Sequence, residues 1–381
     1  MEAYFDNSAT TKVFDCVKDI VVKTMTEDYG NAASKHTKGV EAERYIREAR
    51  SVIAKSLKVQ EKEIVFTSGG SESNNMALIG GAMANRRRGG HIISTNVEHS
   101  SVYNTLGFLQ EQGFEITYLP VDSQGHISLS QLRESLRPDT ILVSVMYVNN
   151  EVGSVEPVEE IGKIIKENQS QALFHVDAIQ AYGKYEIRPK RQGIDLLSVS
   201  GHKLHGPKGV GFLYIRKEIN LPAFVHGGAQ ESNRRAGTEN VPGIVGMGKA
   251  AELAHKRMRM ESRKIRYLRD YLAYRILQEI EDVVMTGSRR YRLANNASFC
   301  FKGITGEAAA ILLDTQGICV SSGSACSTGS LEDSHVLTAI GIESEWAQGA
   351  IRITLGAENT KEEMDYVAEK IKMVVKDMRG H

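Results

Sequence analysis

The chain has 381 residues, 41% hydrophobic and 25% charged, and its Lys+Arg and Asp+Glu counts balance at 47 each. These proportions describe a soluble globular protein of about two domains and argue against general disorder or a basic nucleic-acid binder. The longest apolar run, residues 308–313, is far shorter than the roughly 18 residues a membrane span needs. Residues 1–6 lack the basic-then-apolar order of a secretory leader, so a cytoplasmic protein is expected. Four cysteines (Cys16, Cys300, Cys319, Cys326) without a CxxC pair frame neither a disulfide scaffold nor a zinc site, and no metal is expected.

In chain order, residues 63–67 read as a strand, then a Ser/Gly turn, then a helix over 71–86. A second strand follows at 91–95, with helical spacing after Glu98, and buried strands at 140–147, 173–176 and 195–200. That alternation predicts an α/β unit with a mainly parallel sheet, which binds ligands at the C-terminal ends of its strands. Near Gly243 the texture changes. Ile265, Leu268, Leu272 and Ile276 recur at three- and four-residue spacing, which predicts a long helix. Strands at 296–301 and 350–355 and helices at 306–316 and 360–378 then form an α+β unit. Thr360 and Glu363 make a capping-box pattern. The division expected is residues 15–255 as a large domain, and residues 1–14 with 256–381 as a small one.

Two glycine-rich stretches bear on nucleotide binding. Gly201-His202-Lys203-Leu204-His205-Gly206 opens like a P-loop, but Pro207 takes the lysine position. The run from Thr67 to Asn74 joins a strand to a helix, where free backbone N–H groups and the helix dipole suit a phosphate. A tight turn with Ser71 as N-cap explains that run as well. Further strand ends tip the balance. His99, the pair Asn149 and Asn150, Asp177 with Gln180, and Ser200, His202 and Lys203 all follow strands. Together they put a phosphate cradle, an acid, an imidazole, amides and a lysine on one sheet edge. This set suits pyridoxal 5'-phosphate: a lysine for the Schiff base, an acid for the pyridine nitrogen, and Ser/Gly for the phosphate.

The run from Ser200 to Gly209 resembles that of the NifS/IscS-type (group I) cysteine desulfurases, class V aminotransferases of the pyridoxal-phosphate fold type I. The likeness extends through residues 4–11, Tyr29-Gly30-Asn31, 67–75, Glu98-His99, 148–151, 175–180, 235–240, 321–326 and Ile351-Arg352. It implies an aspartate-aminotransferase-like α/β fold, with a seven-stranded sheet in the large domain, and a homodimer. It also implies roles. Lys203 carries the cofactor, Asp177 meets its pyridine nitrogen, His99 stacks on the ring and Gln180 reaches the ring hydroxyl. Gly70, Ser71, Ser200 and His202 hold the phosphate, and Thr238 reaches it across the dimer. Asn150 and Arg352 hold the substrate carboxylate, for which the planar arginine fork is matched. Lys208, the rival lysine, sits in a Gly/Pro turn and reads as structural or phosphate-side. The segment around Cys326 is similar to that of NifS and IscS rather than the shorter one of SufS. Ala32 and Ser71 depart from the family's usual proline and threonine without removing a needed group.

The activity this implies converts L-cysteine to L-alanine, with Lys203 handling the Cα proton. Cys326 takes the sulfur as a persulfide and passes it to an acceptor protein for iron–sulfur cluster assembly or tRNA thiolation. Its small, polar neighbours read as a loop, whereas Cys300 sits among apolar residues. A selenocysteine lyase or other β-eliminating enzyme, and a catalytically idle sulfur-assembly platform, are the alternatives. Between Lys256 and Arg275 eight basic residues face two acidic ones; a solvated helix face accounts for them, and a docking surface stays open.

Overall fold

A computed structural model describes residues 2–168, 170–322 and 333–380. Thirteen strands are named here in chain order. They are β1 (Ala3–Tyr4), β2 (Ile64–Thr67), β3 (His91–Thr95), β4 (Glu115–Leu119), β5 (Thr140–Met146), β6 (Leu173–Asp177) and β7 (Leu196–Ser200). Then come β8 (Gly211–Ile215), β9 (Val283–Met285), β10 (Asn296–Phe301), β11 (Ile318–Cys319), β12 (Ser321–Ser322) and β13 (Ala350–Thr354).

The large sheet has the order β2-β8-β7-β6-β5-β3-β4. Only β8 runs against its neighbours; the pairs β7–β6, β6–β5, β5–β3 and β3–β4 are parallel. Its central strands, rich in Ile, Val and Leu, are buried along their whole length, as a sheet covered on both faces requires. The parallel arrangement brings the ends at Thr95, Met146, Asp177 and Ser200 to one edge. The β4 and β8 strands were not anticipated: β4 is a half-exposed edge strand, and β8 is a short run directly after the Gly206–Gly209 turn.

A second, antiparallel sheet has the order β12-β13-β10-β9, and β1 pairs parallel with β11. Its core is a separate apolar cluster that includes Phe5, Leu272, Phe299, Ile353 and Ile371. The Val241–Glu279 helix serves both cores. Val241–Ala251 packs against the large sheet and Leu268–Ile276 against the small one. Its 39 residues span about 58 Å at 1.5 Å each. The Thr360 and Glu363 capping box forms at the start of Lys361–Arg379.

Candidate active site

The shared strand edge opens into a cleft of about 460 Å³. Gly70, Ser71, His99, Asn150, Asp177, Gln180, Ser200, His202, Lys203 and Arg352 all line it, so ten of the twelve expected site residues converge. Thr238 does not. It is exposed and lies outside the cleft of its own chain. Cys326 lies outside the described residues. Lys208, the rival lysine, is exposed and lines a different depression, beside Thr10 and Lys12.

The β2 turn delivers the anion-binding end. The helix runs Gly70–Asn85 with Gly69 at its cap, so Ser71 is a first-turn residue and not the N-cap expected from its type. Gly69 holds φ +153, which side chains rarely adopt, and a Cβ on Gly70 would come within 2.2 Å of Ile179 Cδ1. The turn therefore keeps its backbone close to β6 and β7. First-turn N–H groups lack intrahelical acceptors, and here they sit with Ser71, Ser200 and His202 around one end of the cleft. The His202 ring is pushed down to about pKa 4, first by burial and then by Lys203 and Lys208, so it is neutral at pH 7.

Asp177 is the last residue of β6 and is buried. Its Oδ1 accepts from Ile179 N at 2.9 Å and its Oδ2 from Asn74 Nδ2 at 2.8 Å. Burial raises its pKa, opposed by these donors and by His99 and Lys203. Among the described residues no cation forms an ion pair with it. A buried carboxylate held only by neutral donors calls for a positive partner in the cleft. Asn74 Nδ2 also donates to Ser101 Oγ at 2.9 Å, and Ser101 Oγ contacts His99 Nδ1 at 2.9 Å. His99 caps the Ser100–Glu111 helix by accepting from Ser101 N at 3.1 Å, which assigns the neutral ring's proton to Nε2. Burial lowers the pKa of His99, the largest of several influences.

Lys203 closes the short 3₁₀ turn after β7, and its Nζ donates to Ser8 O at 2.5 Å and Ala9 O at 2.8 Å. The same N-terminal segment holds three more cleft residues. Gln180 Nε2 donates to Ser8 O, His202 Nδ1 contacts Thr10 Oγ1 at 3.2 Å, and Arg352 Nη2 donates to Asp6 Oδ1 at 2.9 Å. Arg352 comes from β13, is 5% exposed, and also donates from Nη1 to Asn150 O at 3.2 Å. Sequence reasoning gave no role to Asp6, Ser8, Asn74 or Ser101. Asp6, Ser8 and Asn74 lay within stretches already singled out, and that was their only signal.

The residues fit pyridoxal phosphate. Asp177 would serve as counter-charge to a protonated ring nitrogen, the Gly70–Ser71 helix start would suit the phosphate, and Lys203 is an amine lining the same cleft. Comparison with known proteins agrees. The model of the family "Aminotransferase class-V" matches residues 3–367. A protein of Dictyoglomus turgidum named cysteine desulfurase IscS is 47% identical over 99% of this chain and 95% of its own length. One of the same name from Methanosarcina thermophila is 48% identical over 99% and 93%. A solved NifS-like protein superposes with a TM-score of 0.94 at 40% identity, covering 99% of this chain and all of its own. A structure titled SspA in complex with cysteine gives 0.81 at 35% identity, over 94% of this chain and all of its own.

Proposed function

The chain belongs to the class-V aminotransferases, among the pyridoxal-phosphate cysteine desulfurases of the NifS/IscS type, and on that premise we propose how its own residues divide the work. Free L-cysteine is the substrate, L-alanine the product, and Cys326 the thiol that receives the sulfur. The observation that carries this reading is one cleft holding a buried uncompensated carboxylate, a lysine and a buried arginine: Asp177, Lys203 and Arg352.

When bound, pyridoxal phosphate supplies an electron-withdrawing ring that stabilises negative charge at the substrate Cα. Asp177, its carboxylate fixed by Asn74, would hold the ring nitrogen protonated. His99 and Gln180 would hold the ring, and Gly70, Ser71, Ser200 and His202 would hold the phosphate. Arg352 and Asn150 bind the substrate carboxylate, and Lys203 Nζ removes the Cα proton and returns it. The Cys326 thiolate attacks the substrate sulfur. A sulfur–sulfur bond forms, the carbon–sulfur bond breaks with its electron pair going to the carbon side, and protonation gives alanine. The bound substrate accepts the thiol proton, because the His99 ring carries its proton at Nε2 and its Nδ1 is engaged by Ser101.

Thr238 completes the phosphate site of a second copy, so the active form is a two-fold homodimer. The two units are residues 15–255 and residues 1–14 with 256–381, a division supported by the two apolar clusters. The sulfur passes to an acceptor protein of iron–sulfur assembly or tRNA thiolation, in the cytoplasm. Among the described residues no helix is long and apolar enough to cross a membrane. Borohydride reduction and peptide mapping of the yellow holoenzyme test the core of this reading. The pyridoxyl group is expected on Lys203, and its recovery on Lys208 overturns the assignment. An active monomer with full cofactor content in sedimentation overturns the role of Thr238.

A further inference from the structure

Lys203 belongs to the walls of two pockets, and it is the one residue they share. The second pocket is narrow, with about 80 Å³ of free space. Phe14, Leu204, Met258, Ile265, Leu293 and Leu355 give it an apolar wall, part of it the stretch of the Val241–Glu279 helix between the two cores. An apolar wall with a few placed polar groups is the kind of lining small-molecule sites present.

Two of its polar groups lack proper partners. The ammonium of Lys184 has one hydrogen bond, a long one of 3.4 Å to Gln180 Oε1. Among the described residues no carboxylate pairs with it. The charged neighbour it feels is another base, Lys203, and burial pushes its pKa down to about 7. Glu261 lines the same pocket, but its carboxyl answers to Arg257 and Lys264. The second group is Asn295, which is 6% exposed; its Nδ2 donates to Leu355 O, while its Oδ1 has no partner among the described residues. A part-buried amine against an apolar wall and without a counter-ion is costly unless an anion reaches it. The surrounding wall offers that anion an apolar tail site.

We propose that this pocket is a second ligand site, which takes a small aliphatic carboxylate with its head on Lys184 Nζ and its chain against Met258, Ile265 and Leu355. A hydroxyl or water carried with the ligand donates to Asn295 Oδ1. Because Lys184 is bonded to Gln180, which lines the cofactor cleft, an occupied pocket withdraws Lys184 from that amide.

Hexanoate is the probe, titrated into the holoenzyme at pH 7 and followed by saturation-transfer NMR. Saturable binding is expected, weakened about tenfold or more by Lys184→Met. Met258→Trp, which fills the pocket without touching Lys184, weakens it likewise. Arg352→Gln leaves it unchanged and 1-hexylamine does not bind. Binding that survives Lys184→Met but is lost in Arg352→Gln places hexanoate in the substrate cleft and overturns the proposal. So does the absence of saturable binding, or equal binding of hexylamine. Acetic anhydride labelling of the unmutated protein is an independent readout: hexanoate protects Lys184 from acetylation, and unchanged labelling overturns the proposal.

Discussion

Asp6 lies across the guanidinium of Arg352, with Oδ1 2.9 Å from Nη2, and both side chains are largely shielded from water. Nη1 is fixed on Asn150 O, while Nε is buried without a partner among the described residues. The arginine is therefore oriented before any substrate arrives. Removing the carboxylate frees the fork and leaves a buried charge unpaired. Asp6→Ala is expected to raise KM for L-cysteine roughly tenfold, about 1.4 kcal/mol, with kcat changed far less. Steady-state kinetics check this; an unchanged KM shows that Asp6 does not position Arg352.

Asp177→Asn keeps the shape of the side chain and its contact with Asn74 but removes the counter-charge for a ring nitrogen. The protein should still fold and take up cofactor, with an altered absorption spectrum. Turnover should fall by roughly 10²–10³-fold, as when a preorganised electrostatic partner is lost. An absorption spectrum and an alanine-release assay read both, and near-normal turnover removes Asp177 from its role.

The cysteines separate by surroundings. Cys300 is fully buried in β10 and burial pushes its thiol up to about pKa 12, so it stays protonated and unreactive at neutral pH. Cys16 is exposed. Iodoacetamide on the folded protein should label Cys16 and spare Cys300, by peptide mass. Cys326→Ala should abolish protein persulfide and nearly all alanine release while keeping the yellow colour. The same substitution at Cys16, Cys300 or Cys319 should leave turnover largely intact. Normal desulfuration by Cys326→Ala assigns the nucleophile elsewhere.

Glu156 is buried and far from an ordinary carboxylate setting. Its Oε2 accepts from Ile127 N at 3.3 Å, Oε1 has no partner among the described residues, and burial pushes its pKa up to about 8. The folded value exceeds the unfolded one, so folding favours the protonated form. The associated stability is present below about pH 4.5 and is lost as pH rises toward 8. Glu156→Gln mimics the protonated acid and should be more stable than the unmutated chain at pH 8.5, by about 1–3 kcal/mol, with the gap closing at pH 5. Denaturant melts at the two pH values decide it. A gap that widens at pH 5 reverses the sign.

Much of this architecture is legible in local sequence. The run His91-Ile92-Ile93-Ser94-Thr95 is β3 to the residue, because three β-branched residues, Ile92, Ile93 and Thr95, in so short a run favour a strand. His99, Asp177, Ser200 and Lys203 were placed together because a parallel sheet puts its strand ends on one edge. Edge strand β4 escaped, since half its residues face water and mute the signal. The chain Asp177–Asn74–Ser101–His99 escaped for another reason: it depends on how the Gly70–Asn85 helix lies against the start of Ser100–Glu111, a tertiary register no local pattern encodes. Asp6 and Arg352 are 346 residues apart, and only the resemblance singled out the arginine.

That separation has a meaning for the chain as it is made. β1 adds itself beside β11, Ala3 against Ile318, and Asp6 and Ser8 bond to Arg352 and Thr354. Residues 6 and 8 thus finish their structure only with residues about 346 positions later in the chain. At about 5–20 residues per second, residue 6 waits roughly 20–70 s for residue 352. The large sheet can form during that interval, but Lys203 lacks its finished surroundings until the N-terminal segment is locked between both ends. A chain made only as far as the large sheet has the Lys203 strand ends but not the Asp6–Arg352 pair that adjoins them.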